Sequence, residues 1–452
     1  MECKRCLNNL GSIIYNDILT VSRFRWAACQ LDALEECLDR RSLRKALASL
    51  PKTLDETYRR IISGIPDPRK QYAIRILQFL TYSERPLRIE EAVDVIAVET
   101  EEEPYFDIKD RLPDPQEISC YCSSLVVVVP AKEHSHNKDD KPMELQLAHF
   151  SVKEYLTSGR LDKDIAQNFQ EIAAKASIAI VCLAYLLRLD VDLQPDEIRM
   201  TFPLAEYCAR YWMIHAVEAE EKDETLQGFI RKFFCNHRNL QCYSLCQPDH
   251  HPSHNLSQQN LVLALYYASF GGLVNAVDYI LSQKNVDVNA EGGYYSNALQ
   301  AASVHGHEKV VELLLKAGAN VNAKIRNRNN ALQMASFHGH KKVVELLLKA
   351  GANVNAQTRY DNNALLVAST HGHEKVVELL LKAGANVNAQ TGHDNALQMA
   401  SVFGHEKVVE LLLKAGANVN AQTGHDNALQ MASVRGHEKV VELLKAVAGV
   451  NT

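Results

Sequence analysis

The sequence predicts a mainly α protein: a helical module in front of an α-solenoid of repeated helix pairs joined by β-hairpin turns. Two observations predict it. The last third of the 452-residue chain repeats itself at intervals of 33 or 32 residues. The residues ahead of it show helical periodicity interrupted by one pair of short, strand-like runs.

The repeats come first because self-similarity decides the architecture. The phrase Asn-Ala-Leu begins at Asn297, Asn330, Asn363, Asn395 and Asn427. A short apolar helix follows each start, then Gly-His (preceded by a further His in three copies), a second helix, and Ala-Gly-Ala-Asn-Val-Asn-Ala; the last copy lacks this final phrase. A degenerate earlier copy starts near Asn260. In one unit, Ala331 to Phe337 reads as the first helix, and Gly339 is suited to the left-handed turn after it. Val343, Val344, Leu346, Leu347 and Leu348 make the second helix apolar on more than one side, so neighbours must cover it. Stacking at least about three such units buries that surface. Six copies are present, starting near 260, 297, 330, 363, 395 and 427.

The period, the helix–Gly–helix–hairpin order and the Gly-Ala-Asn-Val-Asn-Ala phrase resemble ankyrin repeats over residues 260–450. The resemblance implies a protein-binding array without catalytic residues. The family's Thr-Pro-Leu-His opening is replaced here by Asn-Ala-Leu-Gln in four copies and by Asn-Ala-Leu-Leu at Asn363. Asn is a good N-cap, and Gln can stand in as a donor; the departure implies lower local stability but the same fold. The last copy has no polar capping helix, which predicts an exposed end and self-association through it.

Ahead of the array, residues 24–70 read as a helical segment, with Phe24 to Leu38 at helical spacing. Thr53 reads as the N-cap of Leu54 to Ser63, with Glu56 completing a capping box. Within 71–160, helices are predicted at Tyr72–Tyr82, Ile89–Val98 and Pro115–Ser123. Leu125–Val129 and Glu144–His149 read as strands around a charged loop. Three helices and then two strands is winged-helix order. Residues 161–246 read as helical, anchored by Tyr207, Tyr211 and Trp212, and 247–259 as a linker. Residues 1–23 form an N-terminal extension.

A winged helix raises the alternative of a DNA-associated regulator. The third helix has no Lys or Arg, and the loop mixes Lys132, Lys138 and Lys141 with Glu133, Asp139 and Asp140. Phosphate contacts supply most sequence-independent affinity, so nucleic acid is not the expected partner. Charge agrees: residues 297–450 carry a formal +4 within a chain of −6, far from a strong basic excess.

Phe24-Arg25-Trp26-Ala27, Gln30-Leu31-Asp32 and Leu50-Pro51-Lys52-Thr53-Leu54-Asp55-Glu56-Thr57-Tyr58 resemble the helical tail of fungal NACHT-type STAND NTPases, which are NLR-like proteins. Pro86-Leu87-Arg88-Ile89-Glu90-Glu91 and Leu147-Ala148-His149-Phe150-Ser151-Val152-Lys153-Glu154-Tyr155-Leu156 are similar to the winged helix that follows the NTPase core there. Phe202 to Tyr207, with Tyr211-Trp212, is similar to their next helical segment. The resemblance covers about residues 22–215. It implies a nucleotide-switched core coupled to a C-terminal sensor array. No Gly-x-x-x-x-Gly-Lys-[Ser/Thr] occurs, so the phosphate cradle is absent from this sequence. The chain resembles the distal half of such a protein, with a fragment of a longer NTPase as the alternative.

The remaining chemistry points to no enzyme, no cofactor and no metal. Cys235-x6-Cys242-x3-Cys246-x3-His250 matches no familiar zinc spacing and reads as a helix end running into the linker, and Cys3-x-x-Cys6 is an isolated pair. His-Gly-His recurs at His305, His338 and His371, but its first His becomes Phe403 and Arg435 while the helix-opening His persists at His405 and His437. That pattern predicts a structural second His rather than a metal ladder. No apolar run reaches the roughly 18 residues of a membrane span, and no secretory signal is recognisable; the expected location is the cytoplasm, with the nucleus as the alternative.

Differences between repeats gather at two places, and recognition on a constant scaffold tends to sit where it varies. One is the residue pair before Gly: Val304-His305, Phe337-His338, Thr370-His371, Val402-Phe403 and Val434-Arg435. The other is the hairpin tip, including Lys324, Arg326, Arg328, Arg359, Tyr360, His393 and His425. The ankyrin resemblance implies that both line a concave groove. The candidate partner-binding residues are therefore Val304, His305, Lys324, Arg326, Arg328, Phe337, His338, Arg359, Tyr360, Thr370, His371, His393, Phe403, His425 and Arg435, and the three cations of the 324–328 tip predict an acidic partner segment.

Overall fold

A computed structural model describes residues 39–131, 142–189, 193, 195–236, 260–323, 330–357, 362–390, 394–421 and 427–449. The chain forms two compact units, Met1–Pro248 and Asp249–Thr452.

In the first unit, α1 (Arg40–Ala48) and α2 (Leu54–Ser63) precede α3 (Asp67–Tyr82). Thr53 caps α2 by accepting the Glu56 N–H (3.2 Å). The reciprocal bond differs from the expected box: the Glu56 carboxylate accepts from Lys52 N (2.9 Å), one residue earlier. β1 (Leu87–Arg88) leads into α4 (Ile89–Ala97). β2 (Val126–Pro130) and β3 (Met143–Leu147) form the hairpin, and the sheet runs β1-β3-β2, antiparallel throughout. β1 was not expected from the sequence. Two residues carry no readable alternation, yet Leu87 opposite Leu145 sits fully buried.

The third helix of the winged-helix order differs from expectation. Residues Pro115–Tyr121 form a 3₁₀ helix, not an α-helix. Asp114 caps it and Pro115 opens it; tight i→i+3 turns of this kind suit short connectors. Ile118 pins it to the core.

After β3 come α5 (Phe150–Leu156), α6 (Lys163–Ala166), α7 (Glu171–Leu186), α8 (Pro195–Thr201), α9 (Ala205–Ala216) and α10 (Glu224–Cys235). The His149-Phe150-Ser151 phrase is structural at two atoms. His149 Nδ1 accepts the Ser151 N–H (3.2 Å), and the Ser151 hydroxyl bonds Tyr58 OH (2.8 Å). Tyr155 then packs on Tyr58, with ring centroids 5.5 Å apart. The motif residues thus join α5 to α2. Trp212 and Tyr207 are fully buried anchors of α9, whereas Tyr211, the third expected anchor, is half-buried.

One polar network crosses this core. Asp94, fully buried on α4, takes Arg111 through Nε (2.5 Å) and Nη2 (2.9 Å) and accepts from Tyr185 OH (2.5 Å). Arg111 also donates to the Thr201 carbonyl (2.8 Å). Burial raises the Asp94 carboxyl above the ordinary carboxylate range, against the pull of Arg111 and Tyr185.

His215, fully buried on α9, contacts Tyr207 OH at 3.3 Å. Burial, reinforced by Lys175, depresses it to about 4. The unfolded chain therefore binds a proton at about pH 6.5 that the folded chain refuses until about pH 4. The stabilisation is fully present above pH 6.5 and is lost as pH falls to 4, about 3 kcal/mol in all. Both tryptophans, Trp26 and Trp212, lie in this unit. Urea titrations followed by tryptophan fluorescence between pH 7 and 4 should show a steeper loss for the wild type than for His215→Gln. Parallel curves would refute the assignment.

In the second unit the helix pairs are α11 (Asn260–Phe270) and α12 (Val274–Leu281), α13 (Ala298–His305) and α14 (Glu308–Lys316), α15 (Ala331–Phe337) and α16 (Lys341–Lys349), α17 (Ala364–Thr370) and α18 (Glu374–Lys382), α19 (Ala396–Val402) and α20 (Glu406–Lys414), and α21 (Ala428–Arg435) and α22 (Glu438–Ala448). First helices stack on first helices and second on second. Val343, Val344 and Leu347 of α16 are fully buried, and every internal repeat buries the equivalent three.

The Asn-Ala-Leu-Gln opening works as a cap. Asn330 accepts Gln333 N–H and Gln333 accepts Asn330 N–H, each at 2.9 Å. The Gln333 amide also donates to Ala356 O (3.0 Å) and Asn362 O (2.8 Å), between the second helix of this repeat and the first helix of the next. The Asn/Gln pair thus caps its own helix and ties it to both ends of the segment that leads into the next repeat.

Candidate protein-interaction site

Three sets of side chains must be separated before any surface is assigned to a partner. The first is the helix-opening histidines, which belong to the scaffold. Their Nε2–H groups donate across repeats: His307 to Phe270 O (2.9 Å), His340 to Val304 O (2.8 Å), His373 to Phe337 O (2.8 Å), His405 to Thr370 O (3.0 Å) and His437 to Val402 O (3.0 Å). Each ring lies against the glycine of the preceding repeat. A Cβ on Gly339 would stand 2.6 Å from His373 Nδ1, and Gly339 itself has φ +73°. That glycine is needed twice, for the left-handed turn and for the ring.

The second set is the paired asparagines of Gly-Ala-Asn-Val-Asn-Ala. Asn320 Oδ1 accepts Asn322 N–H (3.0 Å). Asn322 then reaches the next repeat through Nδ2–H to Gly351 O (2.9 Å) and by accepting Asn353 N–H (2.8 Å). Asn289, Asn355 and Asn388 make the same paired contact. These groups are committed to holding neighbours in register.

The third set lies on the first helices. His305, His338, His371, Phe403 and Arg435, the residues just before each glycine, are all exposed. The preceding position is not uniform. Val304 is only 4% exposed, Thr370 is half-buried, Phe337 is 38% exposed and Val434 86%. Val304 is therefore corrected: its side chain is core and only its carbonyl is used, by His340. Met334, Met399 and Met431, one turn earlier, are half-buried and extend the surface; they lie outside the two variable places singled out from the sequence. The rings touch between repeats: Phe337 lies 4.2 Å from His371, and Phe270 4.5 Å from His305, by ring centroids. Tyr294 and Tyr295 continue the row at its N-terminal end. Lys324, Arg326, Arg328, Arg359, Tyr360, His393 and His425 fall outside the described residues.

Other candidates place as follows. Among the described residues no three His, Cys, Asp or Glu side chains converge on a common point as metal ligands would. Cys235 is exposed, and Cys242, Cys246, His250, Cys3 and Cys6 lie outside the described residues. Glu103 pairs with Lys232 (3.0 Å) beside a cleft of about 390 Å³ lined also by Tyr105, Leu187 and Arg188. Among the described residues no single helix is long and apolar enough to cross a membrane.

Fold and surface together define an ankyrin-repeat protein with a winged-helix domain, and such arrays are protein–protein interaction scaffolds. Models of ankyrin repeats match residues 216–325, 322–391 and 397–444, and the model described as "GPI inositol-deacylase, winged helix domain" matches 64–168. The chain belongs to the same family as azaphilone pigments biosynthesis cluster protein L of Monascus ruber. The two are 34% identical over 341 residues, which is 70% of this chain and 71% of that protein. A crystal structure of an ankyrin repeat domain from Acinetobacter baumannii is 33% identical, covers 41% of this chain and 97% of its own, and has a TM-score of 0.38.

Proposed function

We propose that the chain is a non-catalytic adaptor of the cytosol or nucleus, whose array holds a partner protein on the first-helix stripe. The observation that carries this reading is the row of exposed and half-buried aromatic, thioether and imidazole side chains from Phe270 to Phe403. The ring contacts along the row are added to a stack that the second histidine, the Asn pair and the buried faces of both helices already hold. Exposed apolar surface without a scaffold role marks an interaction site.

A photo-crosslinking amino acid in place of His338, and a control in place of Lys375 on the second-helix face, test it in cells. A discrete protein adduct at 338 and none at 375 is the expected result. Adducts only at 375, or at neither, end the reading.

The finer reading is the sensor half of a STAND-type, NLR-like switch. It is supported by the order of winged helix, helical segment and array, and by the His149–Leu156 phrase. Transcripts extending in frame upstream through Gly-x-x-x-x-Gly-Lys-[Ser/Thr], or an NTP-binding protein among the adducts, are expected. If neither is found, the chain acts as a free-standing adaptor.

A further inference from the structure

We infer that the partner segment on this stripe is an amphipathic α-helix docking by its apolar face; the inference rests on the protein-binding reading above. Charge is the first argument. The first helices offer the positions i, i+3 and i+4 on one side: Met334, Phe337 and His338 on α15, and Met399, Val402 and Phe403 on α19; on α17 Thr370 and His371 reach the surface, while Val367 is buried at 7% exposure. None is a Lys, Arg, Asp or Glu, and the first cation in this row is Arg435. The second helices are the opposite, lined by pairs such as Glu308–Lys342 (3.2 Å) and Glu378–Lys382 (2.6 Å). Among the described residues of the stripe a charged segment would lose water and gain no counter-charge, so the face it receives is uncharged, and the acidic partner expected from the 324–328 tip could meet those cations only with residues outside that face.

Backbone chemistry is the second argument. An extended peptide needs partners for its own N–H and C=O groups, commonly a strand edge. Among its described residues the array has no β-strand, only an isolated bridge position at Asp394. The carbonyls ending the first helices (Val304, Phe337, Thr370 and Val402) are already taken by histidines of the next repeat. His371 Nδ1–H is spent on Val367 O (2.9 Å). A helix satisfies its own backbone and asks only for apolar contact. Met334 and Met399 suit such a partner, since an unbranched thioether adapts to the ridges of an incoming helix.

The test is selection of a displayed random 20-residue peptide library on the full chain, counter-selected on Phe337→Glu/Phe403→Glu. The expected peptides carry apolar residues at i, i+3/i+4 and i+7 and gain helical circular dichroism when bound. Their affinity should fall roughly tenfold or more in the double-Glu variant, change little with salt, and return in Phe337→Leu/Phe403→Leu. Unchanged thermal melts show that the variants are folded, as expected at exposed positions. Enrichment of acidic or proline-rich peptides, or binding indifferent to the double-Glu variant, overturns the inference. A crosslink at position 338 without apolar-helix enrichment leaves the adaptor reading standing and ends this one. Absence of both ends both.

Discussion

Asp94→Ala should lower the stability of the N-terminal unit by about 3–5 kcal/mol, the cost of orphaning a buried ion pair. The carboxylate is fully buried and faces the Arg111 guanidinium and the Tyr185 hydroxyl; the hydroxyl loses this partner and the guanidinium loses its counter-charge, keeping its bond to the Thr201 carbonyl. Since burial already works against the ionised carboxylate, the intact pair adds little net stability. Removing both charges together should therefore cost much less than removing one. Asp94→Ala/Arg111→Met is expected to recover most of the loss. Urea unfolding read by tryptophan fluorescence reports this unit, because the array contains no tryptophan. A single-variant loss under 1 kcal/mol, or a double variant worse than the single, would show that the network is not the tie between α4, α7 and the 107–111 loop.

Gly372→Ala should weaken the array by about 1.5–2.5 kcal/mol, from two sources. Gly372 has φ +71°, where an L side chain is strained by about 1 kcal/mol. The added Cβ would also stand 2.6 Å from His405 Nδ1, displacing the ring and the bond from His405 to Thr370 O, worth about 0.5–1.5 kcal/mol. Gly384 is the control: φ +86° but nothing within 4 Å of its Cβ position. Alanine there should cost only the backbone strain. Because each repeat leans on its neighbours, hydrogen exchange should rise most in α17 to α20. Equal melting temperatures for the two variants would remove the histidine staple from the account.

Much of the array was legible because its determinants are local. Asn330, Gln333 and Gly339 act within a few residues of each other, and α15 spans Ala331–Phe337 as expected. The second histidine was separable from the first by substitution alone, since His405 and His437 persist where Phe403 and Arg435 replace the other. The N-terminal unit was legible in element order but not in detail. Pro115–Tyr121 has helical spacing but adopts a 3₁₀ turn, and Leu87–Arg88 is too short to announce itself as a strand.

Local chemistry, then, sufficed for the mainly α class, the six helix pairs, their caps and turns, and the winged-helix order. Burial was decided only by tertiary contacts. Asp94 follows Glu90 and Glu91 and reads as one more polar position on a helix. It is buried because Arg111 and Tyr185, 17 and 91 residues away, close over it. Val304 and Val434 occupy the same place in the repeat, yet one is 4% and the other 86% exposed. A residue's type and spacing set what it can contribute, whereas the stack around it settles whether that contribution goes to the core or to the surface a partner meets.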